Sequence, residues 1–332
     1  MERYADRQKP DVFMKTVVTF GDKPAPAMAQ IALKRTAEEG KKDHPQASRV
    51  IEQDIYMDDI CTSVMTEDEA SLLTQDIDEV LSGGGFKVKE WMSNAALRGK
   101  TSEANKEIRM VENQSDEKVL GTVWNQREDE FSYRVKPEVH PLMGAAQMWT
   151  KRKILSRIAG IFDPTGFAAA FLIKAKIGMQ RLWEKGVGWD EELPVEVSSE
   201  WERLFQEMKA LNDVTFQRSL SPPQFQGNPM LCIFCDASEM AFGACVYLRW
   251  ELGDNEYDVR FVAAKSRVAP LKRLTLPRLE LQGAVMAAKL YAAIKEEMTL
   301  DVDSVVFMTD SMIVLGWIHI KPGNSSHLFL QG

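Results

Sequence analysis

The sequence predicts a multidomain chain in which α+β and α/β parts are joined by a mainly helical stretch. Three observations lead there. Short apolar, β-branched runs surround an acidic dipeptide near residue 58, with helical patterns on both sides. Residues 150–211 carry apolar side chains at helical spacing. From residue 231 onward, three strand-like runs precede one long helix and a further strand. A chain of 332 residues fits roughly two or three domains. The divisions fall at polar or Pro/Gly-rich stretches, giving segments 1–97, 98–225 and 226–332.

Composition narrows the class. With 45% hydrophobic and 27% charged residues, the chain has ordinary globular content, so a core can form. No run of about 18 apolar residues is present, so no membrane span is expected. Met1 to Pro10 is charged and lacks an apolar stretch, so no signal peptide is expected. Cys61, Cys232, Cys235 and Cys245 are few for the length, as in a reducing compartment. The expectation is an intracellular protein, cytoplasmic or nuclear and not secreted. A net charge of −8 weighs against nucleic acid as partner without excluding it. Local basic clusters run against it, at Lys151, Arg152, Lys153 and Arg157, and again at Lys265, Arg267, Lys272, Arg273 and Arg278. Each reads equally as a solvated face or a phosphate track.

In chain order, Val17, Val18 and Phe20 suggest a short strand that Gly21-Asp22-Lys23-Pro24 breaks. Ala25 to Glu39 reads as a helix with Pro26 in its first turn. Val50, Ile51 and Ile55, then Ile60, Thr62 and Val64, read as two strands meeting at a tight turn with Asp58 and Asp59 at its tip. Glu67 to Leu81 is helical, opened by a Thr66/Glu69 capping box and closed by Gly83-Gly84-Gly85. Phe86 to Trp91 reads as a strand. Residues 98–118 are polar and read as a mobile linker.

Leu120 to Trp124 and Phe131 to Val135 look like paired strands. Helices are expected over Thr150 to Ile161, Phe167 to Trp183 and Glu200 to Leu211, the first broken by Asp163-Pro164-Thr165-Gly166. The aromatics and methionines of this region read as core. After the Ser221-Pro222-Pro223 linker, strands are expected at Leu231 to Cys235, Ala244 to Trp250 and Tyr257 to Ala263, with a turn at Gly253-Asp254-Asn255. Pro277 starts a helix to about Met298, and Val305 to Met308 is the next strand. Ser311 opens a short helix carrying Ile313, Val314 and Trp317.

Acids concentrate at the ends of these elements. Asp58 and Asp59 are adjacent and repel, so a fold that keeps them together usually has a cation to neutralise them; the plainer alternative is a solvated Asp-Asp turn. Oxygen-only ligands point to Mg²⁺ or Mn²⁺. Asp236 ends one strand, Asp310 follows another, and Glu280 lies early in the helix between them. Two competing chemistries fail. Cys232-x-x-Cys235 lies in a strand, where odd spacing sends the thiols to opposite faces. His44, His140, His319 and His327 lack metal-ligand spacing.

Specific motifs add a resemblance. Tyr56-Met57-Asp58-Asp59 on a hairpin looks like the catalytic turn of reverse transcriptases. Phe20, Gly21 and Pro26, with Gln30 beyond, match the start of the helix that packs there against template and incoming nucleotide. Thr150-Lys151-Arg152 with Leu155-Ser156, then Ile161-Phe162-Asp163-Pro164-Thr165-Gly166, Leu182-Trp183 and Trp189-Asp190, resemble Pao-type (BEL/Pao) retrotransposon polyproteins. That family usually has Leu where Thr165 stands. Phe234-Cys235-Asp236-Ala237-Ser238, Pro277-Arg278-Leu279-Glu280-Leu281 and Met308-Thr309-Asp310-Ser311 are similar to the carboxylate motifs of its RNase H domain.

The resemblance implies a reverse-transcriptase palm fragment, a thumb-like connection and a C-terminally truncated RNase H-like domain. A right-handed crossover would set Asp236 and Asp310 at one end of neighbouring parallel strands. Two-metal phosphoryl transfer follows, with Asp58, Asp59, Asp236, Glu280 and Asp310 as catalytic metal ligands. Phe20, Gly21, Pro26, Gln30, Tyr56 and Met57 would contact substrate. The implied partners are RNA template, DNA primer, RNA–DNA hybrid, deoxynucleotide triphosphates and the rest of the polyprotein. The family places one more Asp upstream of Phe20, where Asp11 and Asp22 qualify by residue type only, and one more carboxylate beyond Gly332. Each metal site is therefore expected to be incomplete in this chain. The rival expectation is a non-catalytic copy that at most binds nucleic acid or protein.

Overall fold

The computed structural model describes residues 17–18, 21–56, 59–95, 117–119, 122–133 and 149–319. They fall into two compact units, Met1–Ser115 and Asp116–Gly332.

In the first unit, helix α1 spans Ala25–Gly40, with a proline in its first turn as expected. Val17 and Val18 form no strand, and Phe20 lies outside the described residues. Helix α2 runs from Pro45 to Gln53 and takes up Val50 and Ile51, which the sequence reading assigns to a strand. Tertiary burial decides here: Ala47, Val50 and Ile51 face one side and pack with Ala37, Leu73, Ile77 and Leu81. That burial outweighs β-propensity. The hairpin is consequently short. Strand β1 (Ile55–Tyr56) pairs antiparallel with β2 (Asp59–Ile60), Tyr56 opposite Asp59. Helix α3 covers Glu67–Gly83 and starts with the full Thr66/Glu69 capping box. No strand forms over 86–91. Phe86, Val88 and Trp91 instead pack irregularly on the core, and Trp91 Nε1 donates to Asp78 Oδ1 at 3.2 Å.

The second unit opens with a four-stranded antiparallel sheet in the order β3 (Glu117–Val119), β4 (Thr122–Asn125), β5 (Glu130–Ser132), β6 (Thr215–Gln217). The sequence reading has only β4 and β5. Beside them, helices α4 (Lys151–Ala159), α5 (Ala169–Glu184) and α6 (Val195–Glu207) enclose a core of Trp149, Ile154, Leu172, Met179, Trp201 and Phe205. Part of the first basic cluster is absorbed into this packing. Lys151 is 2% exposed, its Nζ donating to the Val187 carbonyl and lying 3.7 Å from the Trp183 ring centre. Arg152 is bound in two-pronged fashion to Asp190 at 2.8 and 3.0 Å. A phosphate track built on Lys151 is thereby ruled out, since its ammonium already has partners.

A second sheet follows. Strands β7 (Gln226–Ala237), β8 (Ala241–Gly253) and β9 (Glu256–Val268) form an antiparallel meander. Helix α7 (Leu276–Glu297) crosses over, and β10 (Ser304–Met308) returns parallel to β7, giving the order β10-β7-β8-β9. Helix α8 spans Met312–His319. Alternate residues of β8, Phe242, Ala244, Val246, Leu248 and Trp250, are buried against Leu279, Met286, Ala287 and Leu290 of α7. Asp254 and Asn255 connect β8 to β9 with φ of 51° and 64°, the two positive values that a type I′ hairpin requires.

The helical part covers the free side of β9. Ala264 N donates to the Thr165 carbonyl at 2.8 Å, and Gln180 Nε2 to the Ala269 carbonyl at 2.6 Å. Phe167 stacks on Phe216 with centroids 4.2 Å apart and meets Phe261 edge-on at 5.3 Å. Thr165 docks on β9 through its backbone carbonyl.

Candidate active site

The parallel pairing of β7 with β10 sets the frame. Met308, the last residue of β10, lies opposite Phe234; Asp236 stands two residues further along β7 and Asp310 two residues past the end of β10. Both acids thus stand at the carboxyl ends of adjacent strands and are exposed. Cys235 reports the same neighbourhood. Its thiol is pushed up first by burial and further by the nearby Asp236 and Asp310 carboxylates.

Glu280 arrives from the early turns of α7. Gly283 lets that helix approach: a Cβ there would lie 3.1 Å from the Asp236 carbonyl oxygen. Glu280 Oε2 accepts a hydrogen bond from Ser311 Oγ, next to Asp310. Asp236 Oδ1 accepts from the Ala237 amide at 2.6 Å. Helix and strands therefore bring Asp236, Glu280 and Asp310 to one end of the sheet. Their donors are all oxygen, the type that hard divalent cations take. The side chains as placed form no cage for one: among the described residues, no three His, Cys, Asp or Glu groups are arranged to hold an ion. Glu280 and Asp236 each have an oxygen committed elsewhere, to Ser311 and to Ala237.

In the first unit, Tyr56 and Asp59 face each other across the short hairpin and are exposed. Phe20, Met57 and Asp58 lie outside the described residues. Gly21 precedes α1 with φ +90°, while Pro26 and exposed Gln30 lie within that helix. The sequence reading missed Asp54. It sits beside the hairpin, with Oδ2 accepting from Thr62 Oγ1 at 2.8 Å and its carbonyl from Cys61 N at 3.0 Å. Burial, then Asp59 and Asp54, raise the Cys61 thiol. Ser311 and Gly283 were missed as well. The motif Met308-Thr309-Asp310-Ser311 contains the serine, but nothing local shows that its partner is 31 residues away.

Residues 150–311 match the family model described as a Pao retrotransposon-like RNaseH-like domain. Over this segment the chain is similar to that family. The Pao-type match begins at α4 and takes in the helices that cover β9 as well as the acid-bearing sheet. A foamy viral protease-reverse transcriptase in complex with RNA/DNA hybrid is similar at 17% identity and TM-score 0.49, over 90% of this chain and 34% of that one. Foamy viral structures with double-stranded DNA give 17% and 0.48 over 88% and 44%, and 13% and 0.46 over 90% and 53%. The chain spans about half or less of the length of these proteins. No curated protein matches it. Among the described residues, no helix is long and apolar enough to cross a membrane.

Proposed function

We propose that this chain is a reverse-transcriptase and RNase H segment of a Pao-type polyprotein, and that Asp236, Glu280 and Asp310 cut the RNA strand of an RNA–DNA hybrid. The observation that carries the reading is the shared register of β7 and β10. It supports a meeting at one sheet end of Asp236, near the end of β7, and Asp310, just past β10, with Glu280 approaching on α7. Bound Mg²⁺ or Mn²⁺ would neutralise charge on the attacking and leaving oxygens of an in-line displacement at phosphorus. The chain's own part would be positional, two strand ends and one helix carrying the three carboxylates toward that place. Lys265, Arg267, Lys272, Arg273 and Arg278 are exposed along the end of β9 and the approach to α7, and they support the backbone of a nucleic-acid partner. In the first unit the same reading assigns RNA-directed DNA synthesis, with Asp58 and Asp59 as metal ligands. Tyr56, Met57, Phe20, Gly21, Pro26 and Gln30 then line template, primer end and incoming deoxynucleotide.

The test is cleavage of an RNA–DNA hybrid by the full chain in Mg²⁺, compared with Asp236→Asn. The substitution is expected to lower the rate by about a thousandfold or more, as loss of a ligand removes several kcal/mol of transition-state stabilisation. Mg²⁺ should also raise Tm for the wild type and not for the variant, by the linkage that favours any state binding a ligand. Without metal, Asp236→Asn should be at least as stable, because one of three mutually repelling acids has gone. A chain that neither cleaves nor gains stability from Mg²⁺ is the non-catalytic alternative, binding nucleic acid or protein at most.

A further inference from the structure

We propose that the grip on nucleic acid continues from the acid-bearing sheet onto the helical part, with Arg181 of α5 taking a phosphate alongside the basic residues of β9 and the approach to α7. The inference rests on the nucleic-acid reading given above and on no metal. Met240, in the turn between β7 and β8, is where three elements meet. Its carbonyl accepts from Ala269 N at 2.8 Å, just past β9, and its Sδ accepts from Arg181 Nη2 at 3.3 Å. Gln180, the residue before, donates to the Ala269 carbonyl. Arg181 is therefore set, in the last turn of α5, beside the end of β9. Along β9, Lys265 and Arg267 pair with Ala244 and Phe242, which pack with the core residues of α7. Directly opposed residues share a face, so both cations stand on the α7 side of the sheet. Lys272 and Arg273 follow in the connection, and Arg278 lies in the first turn of α7.

Ion pairing separates this group from other cations of the same unit. Arg152, Lys174, Arg218 and Arg260 each hold a carboxylate, of Asp190, Glu207, Asp129 and Asp258 in turn. The six basic residues named above are all exposed, and among the described residues none of them pairs with an acid. Two acids stand close to Arg181 or its contact, Glu239 beside Met240 and Glu184 one turn along α5, and Lys185 offsets the second. Unneutralised cations on α5, β9 and α7 suit a polyanion long enough to span all three. The Met240 turn begins just after Asp236, so the polyanion favoured here is the hybrid of the reading above. A guanidinium has five N–H donors, which leaves Arg181 donors to spare after its contact with sulfur. Phosphate contacts of this kind position a duplex without reading its sequence.

The test is fluorescence anisotropy of a labelled RNA–DNA hybrid with the full chain in EDTA, from about 50 to 200 mM salt. The variants are R181Q, R181K, R267Q, M240L and K174Q, with Tm recorded for each. R181Q and R267Q are expected to weaken binding several-fold, whatever the hybrid's sequence, and to lower the slope of log affinity against log salt by about 1. R181K keeps the charge and M240L loses only the sulfur contact, so both should keep the wild-type slope. K174Q removes from the same helix a charge that Glu207 already neutralises, and should change neither quantity. Wild-type affinity and slope in R181Q, or an equal loss in K174Q, overturns the extension onto α5 and leaves the reading above standing. Displacement of the hybrid by polyglutamate at equal charge would assign the surface to an acidic protein and overturn it as well. If the wild type binds no hybrid, the nucleic-acid reading falls, and this inference with it.

Discussion

Gly166, at the junction between the helices and the second sheet, has the least room for a side chain of the described glycines. Its φ is +80°, and a Cβ would fall 1.8 Å from the Ala264 carbonyl oxygen, backbone that cannot swing aside. Gly166→Ala combines left-handed strain with that clash and is expected to cost about 2–4 kcal/mol, read from urea unfolding. The cysteines make a different statement. Burial is the main cause that pushes up the thiols of Cys232, Cys235 and Cys245. A thiol raised in the folded state stays protonated there after its unfolded counterpart has ionised. Stability from this source is whole below the ordinary thiol value of about 8.5 and falls as pH rises beyond it. Unfolding measured at about pH 7 and again above about 9 should show that decline, with a flatter slope in Cys245→Ala. Asp236 and Asp310 could be picked out in the sequence because each terminates an apolar run. Ser311 could not, because its meaning depends on a glutamate brought in from another helix.

At the scale of elements, legibility followed length and period. Strand β8 buries every second residue from Phe242 to Trp250, and that alternation is readable as it stands. The α3 boundary was likewise readable, because a capping box and a glycine run are local signals. Three-residue strands such as β3 and β6 are too short to carry a period, so only their pairing with β4 and β5 defines them. Helix α2 misled for the opposite reason: Val50 and Ile51 favour strands, but the apolar face they complete belongs to a helix. The β8–β9 turn offers a direct check on how far local chemistry governs this sheet. Asn255 already adopts φ 64°, so Asn255→Gly should relieve residual strain and stabilise the hairpin by up to about 1 kcal/mol in thermal unfolding. A loss of stability instead would show that the asparagine side chain matters beyond its backbone angle.

For the whole molecule, the decisive fact is that the acid-bearing sheet does not stand apart from the helices before it. The family match spans both, and Phe167, Gln180 and Thr165 cover the outer side of β9. A fragment of residues 226–332 alone would bare that edge together with Phe261, an invitation to strand pairing between molecules. Sedimentation should find this fragment self-associated at concentrations where residues 116–332 remain monomeric. A well-behaved monomer from the shorter fragment would show that the cover is dispensable. The clasp also has an order in time. Translation runs from the amino end, so Thr165, Gly166 and Phe167 have left the ribosome well before β9, residues 256–268, is made. The nascent edge meets a docking partner already synthesised, and the interval in which it could capture a neighbouring chain is short.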